Sequence, residues 1–281
     1  GEKMNKKKLL GIVGSYRKTG NTEIVVKAVG EKMGDDWELS LIRLPKLKIL
    51  PCKGCYVCML PDIKCNLKDD VEWIMERMSE ADAIIFGAPN YHFGPVGIIK
   101  MLADRALQSL DFQEKYKKIK TAVALTLGME DYRCYADTVL QAQIRALRLD
   151  VVSLDCFYGT HPGEVELIND LDAKSQKMAD SLKSDKEVDY SAPDRCPRCM
   201  SDLFRLHKDG LECVICRAVA KHKDGALEFI YFHPQFTEEG KNEHSNWGLN
   251  KKNEYEEIKD QVKAVQKKYS GGNWLLPEGN E

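Results

Sequence analysis

The chain has 281 residues, 43% of them hydrophobic, and its 42 basic and 44 acidic side chains leave a formal charge of −2. That length allows a full core with room for a second, smaller domain, and so balanced a charge gives no electrostatic reason to expect a nucleic-acid or membrane partner. No apolar run approaches the roughly 18 residues of a membrane span, and the basic start carries an apolar stretch too short for a signal peptide, so a cytoplasmic protein is expected.

In chain order, KKLLGIVGS reads as a buried strand and NTEIVVKAVGEKM as a helix. The loop between them gathers Ser15, Arg17, Thr19, Asn21 and Thr22 at a helix N-terminus, whose free N–H groups favour an anion. It has neither the triphosphate-wrapping G-x-x-x-x-G-K-S/T spacing nor the dinucleotide G-x-G-x-x-G turn. A terminal phosphate monoester is the expected ligand, with an ordinary capped helix start as the alternative. WELSLIRL is the second strand, and PCKGCYVCMLPDIKC, residues 51–65, follows with four cysteines.

Next come the helix DDVEWIMERM, the buried strand ADAIIFGAP and the helix GPVGIIKMLADRALQSL. Pro89, Asn90, Tyr91, His92, Phe93 and Gly94 lie between the last two, where aromatic surface and open backbone suit a flat heteroaromatic ring. KTAVALTLG, YADTVLQAQIRALRL, DVVSLDCFYG and VELINDLDAKSQKMADSL continue the alternation of strand and helix. Five apolar strands separated by helices predict an α/β protein with a doubly wound, five-stranded parallel sheet over residues 1–184. Cys134 and Cys156 are expected to be small buried side chains.

Residues 185–192 read as a charged linker, 193–236 as a small domain of short strands around cysteines, and 237–281 as a polar helix and a tail carrying Trp274, Leu275 and Leu276. Ten cysteines in a reduced compartment argue for metal rather than disulfides. Eight fall in two groups: Cys52, Cys55, Cys58 and Cys65, then Cys196, Cys199, Cys213 and Cys216. Three thiols in consecutive steps of three suit an iron–sulfur loop, with zinc or unligated thiols as alternatives. Two Cys-x2-Cys pairs thirteen residues apart predict a four-thiolate site.

The first domain resembles the flavodoxin-like NAD(P)H-dependent FMN reductases in its Ser/Arg/Gly-Asn-Thr loop, its Pro-x-Tyr loop, and the Lys100, Asp104 and Arg105 pattern of the next helix. The resemblance implies that Ser15, Arg17, Gly20, Asn21 and Thr22 hold the FMN phosphate. It places Pro89 to Gly94 along the isoalloxazine, with Leu127 and Gly128 as a third contact and His92 or Tyr91 as candidate catalytic groups. With the cysteine loop, residues 8–184 resemble the iron–sulfur flavoproteins of anaerobic archaea and bacteria. That implies a [4Fe–4S] cluster on Cys52, Cys55, Cys58 and Cys65, in a homodimer or homotetramer that brings a cluster near a neighbouring flavin. Tyr56, Val57, Met59 and Leu60 are expected to limit water there.

The C-terminal segment resembles a zinc ribbon, with a rubredoxin-type iron site as the near alternative. Met200 and Arg217 stand where rubredoxins carry glycine, which favours zinc. The function expected is an FMN and [4Fe–4S] oxidoreductase that takes electrons from a low-potential donor such as ferredoxin and passes them through FMN to a small acceptor. A pure electron-transfer flavoprotein, or a direct NAD(P)H-dependent flavin or quinone reductase, is the alternative.

Overall fold

The computed structural model describes residues 6–59, 63–116, 119–185, 193–234 and 237–268. Leu60, Pro61, the linker after its first residue, and the tail with Trp274, Leu275 and Leu276 lie outside them. Two compact units divide the chain, residues 1–231 and residues 232–281.

The first unit begins β1 (Lys7–Val13), α1 (Asn21–Lys32), β2 (Trp37–Arg43), α2 (Val71–Ser79), β3 (Ala83–Tyr91), β4 (Gly94–Pro95), α3 (Gly97–Ala103) and α4 (Gln113–Tyr116). It continues β5 (Lys120–Leu127), α5 (Ala136–Ala146), β6 (Asp150–Tyr158), α6 (Glu164–Ile168) and α7 (Leu171–Lys183). The long strands run parallel in the order β2-β1-β3-β5-β6, the flavodoxin-like doubly wound order. In that order the ligand crevice opens where β1 and β3 end.

Alternation along each strand feeds two cores. Leu10, Ile12, Ile84, Phe86, Val123 and Leu125 join one with α2 and α5, whereas Leu9, Val13, Ile85 and Ala124 join the other with α1 and α7. Each Leu, Ile, Val or Phe side chain among these, taken from water, contributes about 1.5–3 kcal/mol. Helix α1 lies so close to β3 that a Cβ on Gly87 would meet Val26 Cγ2 at 2.7 Å.

Two helices differ from their sequence reading. The segment after β4 stays α-helical only to Ala103 and continues as a 3-10 helix, Ala106–Phe112, because Arg105 turns inward to partners described below. The helix expected after β6 is two. Asn169 breaks it by exchanging hydrogen bonds with Tyr158, accepting from its N–H at 2.9 Å and donating to its carbonyl at 2.7 Å. Asp170 then caps α7 through the Ala173 N–H at 3.1 Å. Cys134, expected to be buried, is exposed in the turn before α5 at φ 47°.

The cysteine pairs near the end of the first unit carry an antiparallel sheet of β7 (Phe204–His207), β8 (Gly210–Cys213), β9 (Val219–Lys223) and β10 (Ala226–Tyr231). It does not stand apart from the larger sheet, since Met200 is 8% exposed within the first core. The second unit is α8 (Glu238–Lys268), a polar helix braced by local ion pairs such as Lys259–Glu256. No described helix is long and apolar enough to cross a membrane.

Candidate functional site

The loop after β1 is built around buried Ser15, Asn21 and Thr22. No side chain caps α1, whose N-cap is Gly20, so its first-turn N–H groups remain available to an anion. Arg17 Nη1 donates to the Thr160 carbonyl at 2.9 Å, and the Thr22 and Thr126 hydroxyls share a 2.6 Å hydrogen bond. Asn21 is a strut: its amide donates to the Gly159 carbonyl at 2.8 Å and accepts from the Gly163 N–H at 2.9 Å. A Cβ on Gly159 would stand 2.8 Å from that amide nitrogen, so the contact needs glycine. The loop of residues 159–163 was not among the residues chosen from sequence; its two framing glycines at a strand end were the available signal.

Arg43, at the end of β2, was also missed. It donates to the carbonyls of Ser15 (2.8 Å) and Arg17 (2.9 Å) and pairs with Glu23, which accepts from the Thr19 N–H at 2.6 Å. Burial pushes the Glu23 carboxyl up, but Lys27, Arg43 and that N–H outweigh it and hold its pKa at about 2. A depressed pKa contributes stability that is present above the ordinary 4.5 and lost as pH falls through about 2. Glu23→Gln is therefore expected to flatten the acid limb of a stability–pH curve between pH 4.5 and 2, and an unchanged limb would show that these partners are not formed.

At the end of β3 the chain turns back through β4, pairing Tyr91 with Gly94. The two residues between, His92 and Phe93, both take positive φ, 48° and 71°. Two-residue hairpins of this kind favour Asn-Gly, because a Cβ in the left-handed region costs about 1–2 kcal/mol. Strain of this sort collects at functional sites. Replacing the pair by Asn-Gly is expected to raise folding stability by roughly 1 kcal/mol, read by chemical denaturation.

Phe93 stacks on Tyr132 with centroids 6.4 Å apart, and Asn90 donates to the Tyr132 carbonyl at 2.9 Å. The Asn90 Oδ1 is buried without a partner among the described residues, an acceptor that an imide N–H of a flavin would suit. Leu127 and Gly128 lie beside the loop of residues 159–163: the Gly159 N–H donates to the Leu127 carbonyl at 2.9 Å, and a Cβ on Gly128 would approach Thr160 Oγ1 at 3.2 Å. The predicted residues are thus gathered on neighbouring loops at one edge of the sheet, where Tyr16, Tyr91, Phe93 and Tyr132 are about half exposed or more.

The four-cysteine loop leaves the same edge. Its base is closed by Lys48 with Asp70 and by Leu50 with Asp69, whose carboxylate accepts the Leu50 N–H at 2.9 Å. Cys52, Cys55, Cys58 and Cys65 line one cavity of about 200 Å³. Burial pushes the Cys58 thiol up, and the nearby Cys65, Cys52 and Cys55 add to the effect. Arg105 forms the back wall. It donates to the Leu50 carbonyl (3.0 Å) and to Cys65 Sγ (3.3 Å), and its ion pair with Asp69 is 2% exposed on both sides. Burial raises the Asp69 carboxyl, but Arg105 and the N–H groups of Leu50 and Val71 carry it below the usual range. The sequence reading named Arg105 without a role.

The second four-cysteine set is different in kind. Cys196, Cys199, Cys213 and Cys216 are fully buried, and their sulfurs lie within 4.8 Å of one another. Cys196 and Cys216 are 3.4 Å apart and Cys199 and Cys213 3.5 Å, near the ~3.8 Å that tetrahedral bonds of ~2.3 Å to one ion require.

Each pair forms the same turn. The Met200 N–H bonds the Cys196 carbonyl and the Arg217 N–H the Cys213 carbonyl, with φ of 61° and 60° at Met200 and Arg217. Both positions therefore take positive φ without glycine. Among the described residues this four-cysteine set is the group of metal-ligating side chains brought to the spacing of a single ion.

The fold and this edge define a flavodoxin-like α/β protein with two cysteine-rich centres. The profile of the NADPH-dependent FMN reductase family matches residues 7–147, half of the chain, and the chain belongs to that family. An iron–sulfur flavoprotein of Archaeoglobus fulgidus is 41% identical over 127 residues, 44% of this chain and 61% of that one. Another, from Methanocaldococcus jannaschii, is 39% identical over 100 residues, 35% of this chain and 51% of that one. The matched region thus spans about half to three-fifths of these relatives. A solved flavone reductase shares the fold, with a TM-score of 0.71 at 20% identity over 96% of this chain and 100% of that one.

Proposed function

We propose that this protein is an FMN-dependent iron–sulfur oxidoreductase. The observation that carries the reading is the placement of four thiols around one cavity, on the sheet edge where the family's flavin belongs. The names of the matched relatives, iron–sulfur flavoproteins, agree with it.

In this reading Ser15, Arg17, Gly20 and Thr22, with the N-terminus of α1, seat the FMN phosphate, while Asn21 holds the seat together through residues 159–163. Pro89 to Gly94, Leu127 and Gly128 border the ring. Asn90 Oδ1 accepts its imide proton, and Tyr91 and His92 stand over the approach of a substrate. FMN supplies exchange of one or two electrons, and a [4Fe–4S] cluster on Cys52, Cys55, Cys58 and Cys65 supplies single electrons. Arg105 donates to Cys65, and Tyr56 and Val57 line the same cavity. The ribbon thiols hold a structural zinc or a rubredoxin-type iron. A low-potential carrier such as ferredoxin delivers electrons, a small molecule accepts them, and the chain works as a homodimer or homotetramer.

The test is anaerobic purification with iron, acid-labile sulfide, zinc and FMN measured on one sample. About four sulfides and one FMN per chain, with one further metal, are expected. FMN without sulfide after reconstitution would remove the cluster and leave a simple flavin reductase. The family's description favours a second reading for the donor, direct reduction by NADPH. Rapid anaerobic bleaching of the flavin by NADPH alone would select it, and bleaching only by reduced ferredoxin would exclude it.

A further inference from the structure

The residues just after the first ribbon turn reach into the larger sheet. Met200 enters its core, Ser201 is fully buried with its hydroxyl 3.4 Å from that of Thr138, and Asp202 pairs with Arg133. Arg133 also pairs with the buried Asp137 at 2.8 Å, and the Asp137 carboxylate accepts the Thr138 N–H at 2.8 Å. These partners straddle the start of α5 and the loop after β5. That loop also presents Tyr132, whose carbonyl accepts from Asn90 and whose ring stacks on Phe93. A continuous set of contacts therefore runs from Cys199 through Asp202 and Arg133 to the hairpin of residues 90–95.

We propose that the four-cysteine ribbon site is a metal-dependent brace for the loop after β5, with Asp202 and Arg133 as its positioning residues. An ion bound by Cys196, Cys199, Cys213 and Cys216 fixes the turn from which Ser201 and Asp202 project. These two hold Thr138 and Arg133, and so set the position of Tyr132 beside Asn90 and Phe93. The thiols fit such an ion by their burial, their spacing and the paired backbone turns. The effect of the brace on FMN rests on the function proposed above, whereas the ordering of the loop by metal does not.

The test is hydrogen exchange on the full chain in three states: wild type, wild type stripped of the ribbon metal by a chelator with its loss read by zinc and iron analysis, and Asp202→Asn with its metal intact. Cluster iron and sulfide are counted in each. Amide protection over residues 129–139 is expected to fall about tenfold in the second and third states, while protection of β1 is unchanged. FMN affinity is expected to fall about tenfold in Asp202→Asn at constant iron content.

Unchanged protection over 129–139 in both states overturns the brace. The chelated wild type decides the matter if the variant misfolds. Lost protection with unaltered FMN affinity supports the brace and sinks instead the assignment of this loop to the flavin.

Discussion

Arg105→Leu is expected to cost about 3–5 kcal/mol of folding stability and to empty the first cysteine loop of iron. The ion pair of Arg105 with Asp69 is 2% exposed on both sides, so removing the guanidinium leaves a carboxylate buried without its counter-charge. The same side chain holds the Leu50 carbonyl at one end of the loop and Cys65 Sγ at the other. Its loss releases both. Lysine is not an adequate substitute, since an ammonium cannot offer the planar fork that serves Asp69, Leu50 and Cys65 together.

The double variant Arg105→Leu, Asp69→Asn separates the two effects. It is expected to recover much of the stability, because no buried charge is left unpaired, but not the iron. Denaturant midpoints and iron with sulfide counts read both quantities. A single variant within about 1 kcal/mol of wild type would show that the pair is not buried in solution.

Cys213→Ser is expected to melt the small sheet while leaving the large one. Structural zinc in small thiolate domains contributes about 10–16 kcal/mol of binding free energy, which is folding free energy where no other core exists. Here β7 to β10 bury little besides the four cysteines, Ala218, Val219 and Ala220, and Leu206 is 90% exposed. The strands β1 to β6 keep two cores of their own. Hydrogen exchange is expected to show lost protection over residues 204–231 and retained protection over β1, β3 and β5. Protection retained in both sheets would mean that the ribbon folds without its ion. Metal analysis of the wild type decides between zinc and iron.

Periodicity placed all five parallel strands, because a sheet covered on both faces needs continuous apolar runs such as Ala83 to Ala88, and such runs are local. Cysteine spacing marked the four-thiolate set of Cys196, Cys199, Cys213 and Cys216 for the same reason: ligands to one site must be near in chain when they share a turn. The loops after β1 and β3 were placed at strand ends by the same alternation, which is where this sheet order carries its ligands.

What the sequence by itself determined, then, is everything set by neighbours in the chain: the strand and helix alternation, the two cysteine sets, and the Ser15 to Thr22 and Pro89 to Gly94 loops. Only the tertiary structure decided that Arg105 ends its helix early to hold Asp69 and Cys65, 36 and 40 residues away. It also decided that Asn21 is a strut to Gly159, that Arg43 organises the loop after β1, and that Asp202 reaches Arg133 across 69 residues. Buried charges and amides take whatever partner the packed fold brings within about 3 Å, and no spacing in the chain records that choice.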